Sequence, residues 1–324
     1  MESINIIKAP ITEELKKFEP FFQGTLKSKV PLLQLITNYI YRQKGKQIRP
    51  MVVFLTAKLN GVLNESSYYA ASFIELLHTA TLIHDDVVDE AYERRGFFSI
   101  NALWRNKVSV LIGDFMLSKG MLLAIEHNEF DLLRIVSNAV REMSEGELLQ
   151  IEKARKLNIT KEVYFEIIRK KTATLLAACA ASGASSVKSS PEIIENMRLF
   201  GEYLGIAFQI KDDIFDYQAK GILGKPTAND IKEKKMTLPL IHVLSKVSAS
   251  ERKKILSIIS KSNKKNEEIN FVIQFVIENG GLEYAEEMMT SYKNKALKIL
   301  EQYPESDEKR SLVELTIYTT ERKS

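Results

Sequence analysis

Residues 82–96, "LIHDDVVDEAYERRG", place Asp85, Asp86 and Asp89 close together and follow them with the adjacent Arg94 and Arg95. In a helix Asp85 and Asp89 share a face, and Asp86 lies on the adjoining flank. Like charges at this spacing repel and aspartate is a mediocre helix former, so the end of an otherwise apolar helix tolerates them only beside cations. Residues 208–217, "FQIKDDIFDY", repeat the arrangement with Asp212, Asp213 and Asp216, again after an apolar run. Taken singly, such a cluster is more often a solvated helix end than a metal site. Two copies, each opening from an apolar helix, shift the reading to metal. Aspartate oxygens suit Mg2+ or Mn2+, and Mg2+ bridges a few carboxylates to substrate phosphates while keeping part of its water. His78, His84, His127 and His242 have no paired or HExxH spacing, which leaves zinc without a site.

A phosphorylated substrate also needs protein cations. Lys46 and Arg49 in "GKQIRP", Arg94 and Arg95, Lys171 in "RKKTATLL", Lys225 in "LGKP" and Lys235 in "KKMTLP" are available, although each alone would be a surface charge by default. Neither a Walker loop nor a Gly-rich dinucleotide turn is present, so kinase, ATPase and dehydrogenase readings have no support.

The elements that must position these groups read as long helices. The chain has 324 residues, 45% of them hydrophobic, enough for one large domain over 1–324, and its 14 Gly and 8 Pro punctuate it sparsely. Residues 68–92 form a helix that is apolar nearly all round and therefore buried. Helical periodicity continues over 99–126, 130–153, 160–182, 191–218 and 236–247, with capping signals at Thr160 and Ser190. The longest irregular stretch, "AKGILGKPTANDIKEKK" over 219–235, has the length of a functional lid.

Composition narrows the partners. The net charge of +4 is spread among acidic residues, which argues against a nucleic-acid-binding face. The first residues are broken by charges and prolines, so neither a signal peptide nor a membrane span is expected. The single cysteine, Cys179, sits among small apolar residues and reads as a buried, inert thiol, in keeping with a cytoplasmic location.

Taken together, "GKQIRP", "HTATLIHDDVVDEAYERRG", "LIGDF", "EGELLQ", "KT", "FQIKDDIFD" and "KMTLP" resemble the trans-type (all-E) polyprenyl diphosphate synthases in order and spacing, from about residue 40 to 242. The resemblance implies an all-α, single-domain isoprenoid synthase fold with long helices around a central cavity and the two aspartate motifs across its mouth. It implies that Asp85 and Asp89 hold two Mg2+ ions and Asp212 a third, with Asp86, Asp213 and Asp216 as indirect ligands. By the same resemblance Arg94, Lys171, Lys225 and Lys235 contact the allylic diphosphate, and Lys46, Arg49, His78 and Arg95 hold isopentenyl diphosphate. Read from its helix alone, His78 would be a satisfied core histidine. Thr172 and Gln209 resemble the polar groups that face the allylic cation. The lid departs from the relatives' "GKPVGNDLREGKVTLP" by carrying Ala228 and Lys234 where glycines are usual.

Product length follows from the residues before Asp85. Thr81 and Ala80 are small where short-product relatives carry a bulky aromatic, and Leu77, Ile74 and Phe73 form the next layers. One helical turn rises roughly 5.4 Å, about one isoprene unit, so each open turn admits about one unit more. A long product of six to eight units is expected, with a quinone side chain as its destination. Helical packing of Ala80 is the plain alternative, and a shorter farnesyl or geranylgeranyl product the alternative outcome. A terpene cyclase would need neither Lys46 and Arg49 nor a second complete motif, and a noncatalytic subunit of a heteromeric synthase would not need intact aspartates. The resemblance further suggests a homodimer, with the first helices contributing to its interface.

Overall fold

A computed structural model describes residues 2–43, 45–94, 96–218 and 229–322. It begins with α1 (Glu2–Lys8), α2 (Thr12–Thr25), α3 (Pro31–Arg42), α4 (Ile48–Asn60), α5 (Glu65–Val88) and α6 (Ile100–Glu126). There follow α7 (Phe130–Lys156), α8 (Lys161–Ile168), α9 (Thr174–Ser186), α10 (Pro191–Gln218), α11 (Asn229–Lys232) and α12 (Leu238–Lys246). Last come α13 (Ala249–Ser260), α14 (Asn266–Glu278), α15 (Gly281–Leu300) and α16 (Asp307–Glu321). The all-α expectation holds, apart from a two-residue hairpin of β1 (Glu93–Arg94) and β2 (Phe97–Phe98).

Contacts gather into two groups: Met1–Val140, Ala178–Arg198 and Tyr303–Glu314 in the first, and Arg141–Ala177, Leu199–Gln302 and Leu315–Ser324 in the second. In the first, α4 is apolar all round and is buried without a break from Pro50 to Ala57. It is met by the small-residue helix α9, where Gly183 permits the approach. A Cβ there would lie 2.0 Å from Thr56 Oγ1 and 2.4 Å from the Val53 carbonyl oxygen. Cys179 of α9 is fully buried, and burial pushes its thiol pKa up, as expected for an inert thiol.

The helix that leads to the first aspartates, α5, starts when Asn64 Oδ1 accepts the Ser66 N–H at 2.9 Å. It packs along α6, where Gly113 seats the His84 ring and Gly120 the Phe73 ring; added Cβ atoms would lie 2.1 Å and 2.5 Å from them. The helix ends at Val88, short of the expected 92, and Glu90 (φ 50°) turns the chain out of it. Gly96, with φ 77°, then closes the hairpin.

In the second group the capping signal at Thr160 operates: its hydroxyl accepts the Val163 N–H at 3.4 Å. The predicted helix over 160–182 is interrupted by a π turn over Arg169–Ala173. The core beneath it is aliphatic, with Ile168, Ile206, Ile210, Leu240 and Val272 buried together. Part of the stretch read as irregular is helical, as α11, while residues 219–228 lie outside those described.

Overpacking predicts the consequence of filling the α4–α9 contact. Gly183→Ala should destabilise the protein by about 1–3 kcal/mol, read as a lower urea midpoint with an unchanged slope. An unchanged midpoint would show that the two helices part freely.

Candidate active site

The first acidic cluster is divided by its surroundings. Asp85 and Asp89 are exposed at the C-terminal end of α5, whereas Asp86 is 3% exposed. The hairpin returns Arg94 to Asp86, placing Nε at 2.7 Å and a terminal guanidinium nitrogen at 2.6 Å from Oδ1. The protein's own cation thus neutralises the buried carboxylate. The two outer carboxylates stand at a helix terminus that already carries partial negative charge, a place that favours cations.

Beside them, Gln43, Arg49, Glu75, His78, Asp86 and Arg94 line one cavity. Arg49 and His78, read for isopentenyl diphosphate, thus share this cavity with Arg94, read for the allylic diphosphate, while Lys46 is exposed in the loop before α4. Gln47 carries that loop into α4 in a left-handed conformation (φ 58°) that glutamine seldom adopts. Arg49 is held by Glu75, with Nε 2.6 Å from Oε1. Glu75 escaped the sequence reading; its signal was a lone carboxylate on an otherwise apolar helix, which needs a partner. Arg95 lies outside the described residues.

The second cluster is assembled around the π turn. Its extra residue per turn re-aims side chains, and "EGELLQ" of α7 fastens them. Glu142 accepts from Arg169 at 2.9 Å, Glu145 accepts from Lys170 at 3.0 Å, and Glu147 pairs with Lys171. Gly146 lets α7 reach the turn, since a Cβ there would lie 2.8 Å from the Lys171 nitrogen. From the other side, Gly205 brings α10 so close that a Cβ would lie 2.5 Å from the Ala173 Cα. One turn later on α10, Gln209 Oε1 accepts from Thr172 Oγ1 at 2.9 Å, and Gln209 Nε2 donates to Asp213 Oδ1 at 3.0 Å.

Asp213 is 4% exposed, and its second oxygen accepts from the Tyr164 hydroxyl at 2.6 Å. Its carboxylate is committed to protein donors, whereas Asp212 keeps 40% of its side chain exposed and meets the Arg322 guanidinium. Asp216 Oδ2 accepts the Asp230 N–H at 3.1 Å. Lys171, Thr172, Gln209, Asp213, Asp230 and Lys235 line a common cavity. Lys235 also pairs with Glu233 at 2.6 Å.

Charge is unbalanced here. Burial, two side-chain donors and the neighbouring Asp230 and Asp212 charges together leave Asp213 pushed up to about 7. Burial and the Asp216 charge push Asp230 up to about 6, against the opposing pull of Lys235. Burial is the main cause of both shifts, and the crowding of Asp212, Asp213, Asp216 and Asp230 adds to it, an oxygen-rich setting that suits a hard divalent ion. Asp230 is a further residue that the sequence reading passed over.

Comparison with known proteins matches the polyprenyl synthetase family over residues 30–276. This chain belongs to that family. It is 35% identical over 318 residues to the geranyl-diphosphate-specific all-trans-nonaprenyl-diphosphate synthase of Rhodobacter capsulatus, covering 98% of this chain and 97% of that one. The crystal structure of a Caulobacter crescentus polyprenyl synthase complexed with calcium and isoprenyl diphosphate superposes with a TM-score of 0.90 at 31% identity, covering 99% and 98% of the two chains. That of a geranylgeranyl pyrophosphate synthase from Bacteroides thetaiotaomicron gives 0.85 at 39% identity, covering 99% and 100%.

In this polyprenyl synthetase the residues read as a product tunnel are unequally disposed. Phe73, Ile74, Leu77 and Ala80 are buried, and Ala80 belongs to the same apolar cluster as Leu76, Ile83, Ile112 and Met116. Thr81 is half-buried, with its hydroxyl donated to the His78 carbonyl oxygen at 2.9 Å. Lys234 has φ 61°, so the position where relatives carry glycine has a left-handed backbone here too. Lys225 and Ala228 fall outside the described residues.

Asp230 yields a pH prediction for the metal-free enzyme. The folded protein keeps its proton up to about 6, and the unfolded chain only to the ordinary value of 3.8. Folding therefore takes up a proton in this window, and the associated stability is lost as pH rises through it. With EDTA present, the melting temperature of Asp230→Asn relative to the parent should be higher at about pH 8 than at about pH 4. Equal offsets at the two pH values would refute the crowding.

Proposed function

We propose that the chain is a long-chain trans-polyprenyl diphosphate synthase, joining an allylic diphosphate to successive isopentenyl diphosphates head to tail and giving a product of six to eight isoprene units. The observation that carries this reading is that carboxylates and cations line the same cavities: Asp86 with Arg49, His78 and Arg94 in one, and Asp213 and Asp230 with Lys171 and Lys235 in the other. Four of the five breaks between the two contact groups fall inside α7, α9, α10 and α16 and one in the connection before α16, which supports one working domain over 1–324.

Asp85 and Asp89 would hold two Mg2+ ions and Asp212 a third, and the ions would supply Lewis-acid stabilisation of the departing diphosphate. Asp86, Asp213 and Asp216 act indirectly, the first two because their carboxylates are committed to Arg94 and to Tyr164 with Gln209. Arg94, Lys171, Lys225 and Lys235 take the diphosphate oxygens of the allylic substrate. Lys46, Arg49, His78 and Arg95 hold isopentenyl diphosphate. Glu147 keeps Lys171 ordered until the anion competes for it.

As the allylic C–O bond ionises, the prenyl fragment becomes positive. Thr172 Oγ1 and Gln209 Oε1 stand together beside the cavity and offer it oxygen dipoles without a covalent bond. The double bond of isopentenyl diphosphate attacks, and loss of a proton to the released diphosphate leaves a product one unit longer. Water must be kept from the cation, a task for the lid over 219–235.

The small Ala80 and Thr81, with the nonaprenyl product of the Rhodobacter capsulatus relative, support the long product. A shorter product is favoured by one observation, the 39% identity to a geranylgeranyl pyrophosphate synthase. Purified enzyme given Mg2+, isopentenyl diphosphate and farnesyl diphosphate should yield six to eight units by mass spectrometry; a product stopping at geranylgeranyl would select the shorter reading. Asp85→Ala should cut turnover by at least about a hundredfold. Thr81→Phe should shorten the product with the first condensation nearly intact, and it avoids the tightly packed Ala80 site. Normal Mg2+-dependent turnover in the first variant or unchanged products in the second would reject the corresponding role.

The enzyme is proposed to act in the cytoplasm as a homodimer. By length and composition α6 is apolar enough to cross a bilayer, yet 33% of that stretch is buried in the protein. Val110, Leu111, Met121, Leu122 and Ile125 are all exposed. At 100° per residue they fall within about 120° of arc, one face of the helix. A second copy covers this face, so that α6 joins the first helices in the interface. Light scattering should give the mass of two chains, and Leu111→Asp with Leu122→Asp should halve it. A wild-type monomer would reject the dimer.

A further inference from the structure

We propose that Tyr164 is a positioning residue for the transfer step, holding the Gln209 amide in one of its two orientations through the Asp213 carboxylate; the inference rests on the reading of Gln209 and Thr172 given above. Four side chains from three elements form a single chain of hydrogen bonds. Tyr164, on α8, is 4% exposed and donates to Asp213 Oδ2 at 2.6 Å. Asp213 Oδ1 accepts from Gln209 Nε2 at 3.0 Å, and Gln209 Oε1 accepts from Thr172 Oγ1 at 2.9 Å.

The orientation of an amide is set only by its partners, because its oxygen and nitrogen have nearly the same shape. Both Asp213 oxygens accept, Oδ2 from the Tyr164 hydroxyl and Oδ1 from Gln209, so the end of Gln209 that faces Asp213 is the NH2 group, and the carbonyl oxygen is left with Thr172. That is the useful orientation, since an oxygen turned toward a developing cation attracts it and an NH2 group repels it. Asp213 can do this only while it is itself held. Its buried carboxylate has two oxygens and two side-chain donors, of which the phenol is the closer. Burial and the adjacent Asp213 charge raise the Tyr164 pKa well above its ordinary value, so the phenol stays a donor. Gly205 keeps α10 against the π turn, and the chain of contacts is short because the backbones are close.

Removing the phenol oxygen leaves Asp213 Oδ2 buried without its donor. The carboxylate turns toward other partners, and the Gln209 amide loses the acceptor that fixed it. The test compares Tyr164→Phe, Gln209→Met and the double variant by steady-state kinetics, melting temperature and the side-chain amide NMR signals of Gln209 in metal-free protein. In Tyr164→Phe, kcat should fall roughly tenfold with KM for both substrates within about twofold. The Gln209 amide signals of that variant should shift or broaden. Adding Tyr164→Phe to Gln209→Met should lower kcat no further, although it costs the same melting temperature in both backgrounds. A purely structural Tyr164 would move the melting temperature alone. The relay is overturned by wild-type kcat in Tyr164→Phe, by a loss confined to KM, or by the same fold-loss in the Gln209→Met background. Wild-type kcat in Gln209→Met overturns the reading of Gln209 and the relay with it; an impaired Gln209→Met beside a normal Tyr164→Phe overturns the relay alone.

Discussion

Crowded negative charge is the constraint around which this protein is built. Aspartates close together at the end of an apolar helix repel one another and weaken the helix that carries them. The protein relieves part of that cost from within. Arg94 is returned by a two-residue hairpin to Asp86, and Tyr164 and Gln209 are spent on Asp213. In each cluster the inner carboxylate is neutralised or hydrogen-bonded, while Asp85, Asp89 and Asp212 keep exposed oxygens. Exposed carboxylate oxygens at such a helix end suit hard cations.

The same economy governs the cations. Arg49, Arg94, Lys171 and Lys235 each have a carboxylate partner: Glu75, Asp86, Glu147 and Glu233. These pairs order long side chains that would otherwise lose rotamer freedom on meeting a substrate. The Lys171–Glu147 and Lys235–Glu233 pairs are partly exposed and contribute little stability of their own, so their lysines are released at low cost. Pairing therefore preorganises these groups without locking them.

Close backbone approach does the rest. Gly146 and Gly205 lie against the π turn from two helices, and the turn sets Lys171 and Thr172 apart from the periodicity of the flanking helices. Gly113 and Gly120 do the equivalent work between α5 and α6, seating His84 beside the first aspartates and Phe73 three turns earlier. At each of these positions a methyl group would meet another atom at 2.8 Å or less, so the geometry of the acidic helix ends depends on side chains that are absent.

The helices and the chemistry were legible in the sequence because both are written in local spacing. Apolar periodicity placed α10 to the residue, Thr160 and Ser190 marked real starts, and the four-residue interval of Asp85 and Asp89 implied a shared charge problem. Pairings between distant segments were not legible. Nothing near Glu75 names Arg49, nothing near Tyr164 names Asp213, and a π turn differs from an α-helix by one residue whose cause lies in the helices packed on it. Asp230 read as a lid residue, and only its burial beside Asp216 made its charge matter. Residue types and intervals determined which groups could bind a cation or an anion. Tertiary structure alone decided which of those groups are already neutralised, because burial and hydrogen bonding depend on what the fold brings within 3 Å.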